Sequence, residues 1–144
     1  MLFSQDIISV LQKTITNEGS ISLPSEGNSM YSLIQQGDIC RFAPFDPTSL
    51  KKGDILLFWA SNGKLIAHRF YKMESENTYS CKGDTNFGFD EPIQKERILG
   101  TLVSIEKQRY VVQPSNLIVA GWSKLILTFP FLSFILRSYL NRRF

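Results

Sequence analysis

Ser29, His68, Asp84 and Asp90 are residues whose types could together carry out nucleophilic chemistry. A serine hydroxyl attacks a carbonyl carbon only when a base removes its proton, and an imidazole can act as that base near neutral pH. A carboxylate that accepts a hydrogen bond from the second ring nitrogen fixes the tautomer and orientation of the imidazole. His68 is the single histidine of the chain, so this chemistry would depend on it.

Each of these residues also has a structural interpretation. Ser29 lies in the segment Glu26–Met30, where it could be an ordinary loop residue. A histidine in a strand commonly has a structural role, and aspartates in a glycine-containing loop commonly form turns. Residue types alone therefore leave both interpretations open. If Ser29 is a nucleophile, its own backbone N–H is the first candidate to stabilise the oxyanion.

Length and composition are typical of a single folded domain. Of the 144 residues, 43% are apolar and 20% are charged, so the chain can form a core and is not disordered. The net charge of +3 is too small to indicate a nucleic-acid partner. This charge is unevenly placed, because Arg137, Arg142 and Arg143 crowd the C-terminal end, where acids are few.

The cysteines and the N-terminal segment indicate no metal, no cofactor and no secretory signal. Cys40 and Cys81 lie in different apolar stretches, and we expect buried thiols rather than a disulfide. One histidine and two distant cysteines do not have the spacing of metal ligands. Residues 1–17 lack the apolar run of a signal peptide. We therefore expect a membrane-associated or cytoplasmic protein without cofactor or metal.

A short helix and a series of strands are predicted to position these side chains. Residues 4–16 place Ile7, Ile8, Leu11 and Ile15 at helical spacing, and Gly19 is a plausible stop. Five apolar runs between turn residues are predicted strands: 39–42, 54–59, 65–71, 78–81 and 98–105. The pair Asn62-Gly63 predicts a tight hairpin that places His68 on a strand.

The segment after Pro114 has a different pattern, and we divide the chain into residues 1–114 and a helical tail, residues 115–144. Pro130 should break residues 117–140 into two helices. Polar residues share one face of each helix: Gly121, Lys124 and Thr128 in the first, and Ser133, Arg137 and Asn141 in the second. The other faces are apolar, so the tail is predicted to lie on a membrane surface, or else to bind the β-domain or a second copy.

Taken in order, the motifs around these residues resemble the type I signal peptidase superfamily. The matching elements are Asn28-Ser29-Met30, Gly37-Asp38-Ile39, Lys52-Gly53-Asp54-Ile55, Ala67-His68-Arg69-Phe70 and Lys82-Gly83-Asp84-Thr85-Asn86, followed by Asp90 and Ile98-Leu99-Gly100. They cover residues 27–105. The resemblance implies a mainly β fold with an antiparallel sheet or barrel, to which the sequence pattern adds one short N-terminal helix and two C-terminal apolar helices. It also implies a serine endopeptidase that cleaves signal or leader peptides after small side chains.

At the position of the base the sequence reads His68-Arg69, which resembles the branch of this superfamily that uses histidine rather than lysine as the base. The resemblance therefore implies roles for four residues. Ser29 is the nucleophile and its N–H lines the oxyanion hole, His68 is the general base, Asp90 orients His68, and Asp84 is structural or auxiliary. The expected substrate is an extended peptide or preprotein segment that adds to a strand edge.

Two departures from the family pattern leave an alternative function open. The proline usual three residues after the nucleophile is Ser32, and the position that often carries an oxyanion-hole serine is Gly27. The oxyanion hole must then use backbone donors, with Asn28 as an auxiliary. The alternative is a non-catalytic module that keeps the fold and binds a peptide or a membrane. Since no membrane helix precedes Ser29, we expect a small leader-trimming peptidase rather than a general secretion enzyme.

Overall fold

A computed structural model describes residues 5–143, and the first helix forms as predicted. Helix α1 spans Gln5–Glu18, whereas Ser4, where the predicted helix begins, lies outside the described residues. Ile8 and Ile15 are buried, but Ile7 is 45% exposed and does not belong to the core-facing stripe. The helix ends at Gly19, whose φ of +83° suits glycine and whose N–H bonds the carbonyl of Ile15 at 3.0 Å.

Eight strands follow, and they include the five that the apolar runs predicted. Their bounds are β1 Ile21–Pro24, β2 Ile39–Pro44, β3 Ile55–Trp59, β4 Leu65–Ser75, β5 Thr78–Lys82, β6 Ile93–Gln94, β7 Ile98–Glu106 and β8 Val111–Val112. A short 3₁₀ turn, Lys95–Arg97, separates β6 from β7. Two-residue strands such as β6 and β8 have no readable alternation, so the sequence did not predict them.

The strands form one antiparallel sheet in the order β1-β2-β7-β3-β4-β5-β6, with β8 paired to β7. The sheet curls into a half-barrel, so the prediction of a mainly antiparallel β fold is confirmed. Strand β3 lies between β7 and β4, and all five of its residues are buried. Leu57 joins the core that contains α1, while Leu56 and Phe58 join a second core with Phe70 and Tyr79.

The hairpin between β3 and β4 fixes the depth of the histidine. Ala60 and Lys64 close the loop with an N–H to carbonyl bond of 2.8 Å, and Gly63 has a φ of +83°. The loop therefore has three residues with glycine in the left-handed position, a common hairpin type. Leu56 pairs with His68 across the two strands, which places the imidazole beside the buried centre of the sheet.

Two helices complete the chain, and Pro130 separates them as predicted. Helix α2 spans Leu117–Thr128 and begins at the cap Asn116, while α3 spans Phe131–Arg143. Among the described residues, no single helix is long and apolar enough to cross a membrane. Helices α2 and α3 meet those limits of length and composition only as a pair, and they are bent by 105°.

Candidate active site

A short turn anchored in the core presents Ser29. The chain enters through Gly27, whose φ is +74°, and then forms a turn in which Ile34 N–H bonds the carbonyl of Met30 at 2.9 Å. Met30 and Ile34 are 3% and 5% exposed. These two side chains fix the turn to the core, while Ser29 itself remains partly exposed. The apolar residue beside the serine therefore serves as its anchor.

The structure brings Ser29, His68 and Asp90 together. The Nε2 atom of His68 lies 3.0 Å from Ser29 Oγ, and its Nδ1 atom lies 2.6 Å from Asp90 Oδ2. A carboxylate accepts hydrogen bonds, so Nδ1 carries the proton in this arrangement and Nε2 is left to accept from the serine hydroxyl. His68 is only 5% exposed and its ring packs edge-on against Phe58 at 6.2 Å. The imidazole is therefore held on three sides.

Asp90 reaches the histidine because its own backbone is tied to strand β5. The Asp90 N–H donates to the carbonyl of Cys81 at 2.9 Å. Residues 83–90 between them form a loop, hereafter the 83–90 loop, that folds back toward Ser29. The Asp90 side chain is 20% exposed, and that of His68 is 7% exposed. Such partial burial strengthens their mutual interaction relative to one in water.

Asp84 pairs with Arg69 rather than with His68. The two side chains form a bidentate pair, with Arg69 Nε and Nη2 each 2.8 Å from a carboxylate oxygen, and both are fully buried. Arg69 Nη1 also donates to the carbonyl of Gly53 at 3.0 Å. A buried charge needs such complete pairing, because desolvation is costly. The pair fixes the start of the 83–90 loop to strand β4.

Two further residues of this loop pack behind Ser29. The N–H of Thr85 donates to the carbonyl of Ser29 at 3.0 Å, and Thr85 is fully buried. A Cβ placed on Gly83 would lie 3.0 Å from both His68 Nε2 and the Ser29 carbonyl oxygen. Only glycine leaves room for the imidazole and the serine loop at this point. Gly83 and Thr85 thus contact Ser29 or His68 closely, which their residue types alone did not reveal.

Backbone groups near Ser29 are available for an oxyanion. Within residues 5–143, no acceptor bonds the N–H of Ser29. Asn28 is partly buried, and its carbonyl accepts the N–H of Tyr31 at 3.1 Å. Gly27 offers no side-chain donor, as the sequence indicated. Asn86, which the sequence analysis assigned no role, also lines the cleft in front of Ser29 and His68.

A cleft of about 510 Å³ opens beside Ser29 and His68. Its walls are the segments Leu23–Gly27 and Lys64–His68, and its floor is apolar, with Met30, Ile34, Cys40, Phe42 and Leu57. Strand β4 pairs with β5 only from Arg69 onward, so Leu65–His68 has a described strand neighbour on one side only. Strand β1, on the other wall, pairs only with β2. Two open strand edges therefore flank the cleft.

The C-terminal helices contact the site through polar side chains. Ser123 of α2 accepts a hydrogen bond from Arg69, and Ser133 of α3 accepts one from the buried Lys82 at 2.8 Å. Arg137 Nη2 donates to Thr85 Oγ1 at 2.8 Å. The polar stripe of α3 was predicted on the sequence pattern alone, which cannot show that Ser133 and Arg137 face the sheet.

Burial changes the ionisation of three groups around the site. Burial, followed by the charge of Asp90, raises the pKa of the Cys81 thiol to about 12. Burial and then Asp38 raise the pKa of Cys40 to about 12, and both cysteines are free thiols. Desolvation lowers the pKa of the Lys82 ammonium. Ser29 is therefore the candidate nucleophile of the cleft, because its hydroxyl contacts a base while the Cys40 thiol is held protonated.

Neither a metal-binding cluster nor a match to a known protein adds to the description of this site. Across residues 5–143, no group of three or more His, Cys, Asp and Glu side chains could hold a metal ion. No protein-family model matches the sequence, and no curated protein matches it.

Proposed function

We propose that this protein is a serine endopeptidase of the type I signal peptidase superfamily that cleaves signal or leader peptides. One observation carries the proposal: Ser29 Oγ, the His68 ring and the Asp90 carboxylate form a continuous hydrogen-bonded series, with distances of 3.0 and 2.6 Å. The series ends at a cleft with open strand edges. The ordered motifs of residues 27–105 support the same family.

The reaction follows from the geometry of these three residues. Ser29 Oγ attacks the carbonyl carbon of the peptide bond while its proton moves to His68 Nε2. The resulting imidazolium is stabilised by Asp90, which remains ionised. His68 then gives its proton to the leaving amine, and the acyl group stays on Ser29 as an ester. A water molecule, deprotonated by His68, attacks this ester and returns the serine hydroxyl.

The oxyanion of each step would lie against the N–H of Ser29. That donor has no other described acceptor, so it is free to bind the developing charge. Because Gly27 replaces the serine frequent in this superfamily, the site has one hydroxyl donor fewer. Losing one such donor typically costs about a hundredfold or more in rate. We therefore expect slow turnover unless a bound substrate completes the hole.

The substrate would lie extended between the two walls of the cleft. The open edge at Leu65–His68 can pair with a peptide backbone, which is how strand addition supplies affinity without sequence requirements. The apolar floor around Met30, Phe42 and Leu57 suits side chains that alternate toward it. A preference for small residues at the cleaved bond is inherited from the superfamily.

The test is cleavage of a peptide library with small residues at alternate positions, read by mass spectrometry. Wild type should release defined fragments, whereas Ser29→Ala and His68→Ala should lose at least a thousandfold in rate. Ser22→Ala, an exposed serine on β1 outside the cleft, is the matched control and should keep full activity. Binding of library peptides without cleavage would instead support the non-catalytic module.

A further inference from the structure

Helices α2 and α3 leave several large apolar side chains exposed, although each helix also buries apolar residues against the domain, Val119 and Ile126 in α2 and Leu140 in α3. Ser133 is 2% exposed and bonds Lys82, and Arg137 bonds Thr85. By contrast, Phe131 and Phe134 on the same helix are 60% and 63% exposed. A helix that packs on a soluble domain normally keeps its large apolar side chains out of water. The hydroxyl groups of Ser123 and Ser133 accept hydrogen bonds from the buried cations Arg69 and Lys82, which helps to hold the helices in this orientation.

The outward side chains form one apolar face. Its members are Leu117, Ile118, Phe129, Phe131, Phe134 and Ile135, and each is between 44% and 88% exposed. The face continues onto the 83–90 loop, because the ring of Phe87 lies 5.9 Å from that of Phe134 and is 68% exposed. Contiguous exposed apolar surface of this kind marks a binding surface. The apolar face therefore extends from the two helices onto the loop that carries Asp90.

Charge identifies the partner of this apolar face. Residues 107–144 contain six cations and no acid. Lys107 is paired with Asp38 and Arg137 bonds Thr85, whereas Arg109, Lys124, Arg142 and Arg143 are exposed. The preceding 106 residues carry ten cations and thirteen acids, so all of the net positive charge lies in this segment. Two copies placed face to face would bring these charges together. An anionic surface would neutralise them.

We propose that the apolar face of α2 and α3 binds the surface of an anionic lipid bilayer, with both helices lying in the interfacial plane. Exposed aromatic and aliphatic side chains beside exposed lysine and arginine are the features of an interfacial helix. The 105° bend and the short length of each helix suit in-plane binding. This proposal concerns location and goes beyond peptide cleavage, so its test does not need enzymatic activity.

The experiment is flotation of the full chain with vesicles of phosphatidylcholine containing 30% phosphatidylglycerol, compared with vesicles of pure phosphatidylcholine. The protein should float with the anionic vesicles, bind the neutral ones at least tenfold more weakly, and lose binding in 0.5 M salt because the charges are screened. Protein that stays in the aqueous fraction with both vesicles, or that binds both equally, would overturn the proposal.

Variants separate the apolar and electrostatic contributions. Ile118→Glu combined with Phe131→Glu should weaken binding to anionic vesicles more than tenfold, whereas Val10→Glu on α1, where Val10 is 61% exposed and Phe131 is 60% exposed, should bind as wild type does. If the double variant fails to fold, Lys124→Gln with Arg142→Gln replaces it, and should weaken binding about fivefold for each charge removed. A dimer in sedimentation whose association Ile118→Glu abolishes, with no flotation, would identify a second copy as the partner instead.

Discussion

At the scale of single residues, Gly83 has little room for change beside Ser29 and His68. A Cβ there would lie 2.7 Å from Asn86 Nδ2 and 3.0 Å from His68 Nε2. Gly88, in the same loop, has no atom within 4 Å of an added Cβ. Neither glycine has a positive φ, so the two differ in the space around them and not in backbone strain.

We therefore expect Gly83→Ala to displace the imidazole and to lower the turnover of peptide about a hundredfold, the usual effect of a misplacement of about 1 Å. Gly88→Ala should stay within twofold of wild type. The measurement is kcat on one peptide, with circular dichroism to show that both variants are folded. Equal activity of the two variants would mean that His68 need not occupy its observed position.

The thiols permit a second test at this scale. Because burial raises the pKa of Cys40 and Cys81 to about 12, roughly one thiol in ten thousand is ionised at pH 8. We expect neither to react with iodoacetamide in the folded protein within minutes, and both to react after unfolding in guanidinium. Cleavage should survive this treatment, since Ser29 is the proposed nucleophile. Loss of activity in step with modification of Cys40 would point to a thiol mechanism.

At the scale of elements, helix α3 supports Ser29 through one chain of contacts. Arg137 donates to Thr85 Oγ1, and the N–H of Thr85 donates to the carbonyl of Ser29. Helix α3 therefore acts on the active site through a residue of the 83–90 loop. Arg137 does not touch Ser29 or His68, so it is a positioning residue.

Arg137→Gln should lower kcat about tenfold while KM changes less, because it loosens the loop behind Ser29 and reaches the cleft only through a contact of 3.5 Å with Asn86. It should also lower the free energy of unfolding by about 1.5 kcal/mol, the usual value of a hydrogen bond from a charged donor. Arg142→Gln, exposed in the last turn of α3, is the control and should change neither quantity. Restored kcat in Arg137→Lys would distinguish positioning from a loss of folding.

The elements differ in how well the sequence predicted them. The strands from β2 to β5, and β7, follow from apolar runs between turn residues, which are local signals. The break at Pro130 is local as well. The inward orientation of Ser133 and Arg137 is not, because it depends on Lys82 and Thr85, which lie about fifty residues earlier in the chain. A helix pattern shows which residues share a face but not what that face contacts.

At the scale of the whole molecule, the fold brings together residues far apart in sequence. Ser29 and His68 are 39 residues apart, and His68 and Asp90 are 22 residues apart. The order of the motifs suggested these three residues as a set, but spacing alone could not choose between Asp84 and Asp90. The choice depends on Arg69, which binds Asp84 in a fully buried pair. Arg69, next to His68 in the sequence, is the signal that could have assigned Asp84 to an ion pair and left Asp90 for the histidine.

The most direct test of the account is covalent labelling by a peptidyl diphenyl phosphonate with alanine at the reactive position. Attack by an activated serine forms an Oγ–phosphorus bond and expels phenol, and peptide mapping locates the adduct. We predict one phosphonate per chain on Ser29, at least a hundredfold slower labelling in His68→Ala, and none in Ser29→Ala. Labelling should also slow in acid, because a protonated imidazole cannot accept the serine proton. An adduct elsewhere, or labelling of Ser29 at an undiminished rate in His68→Ala, would contradict a Ser29–His68 catalytic pair.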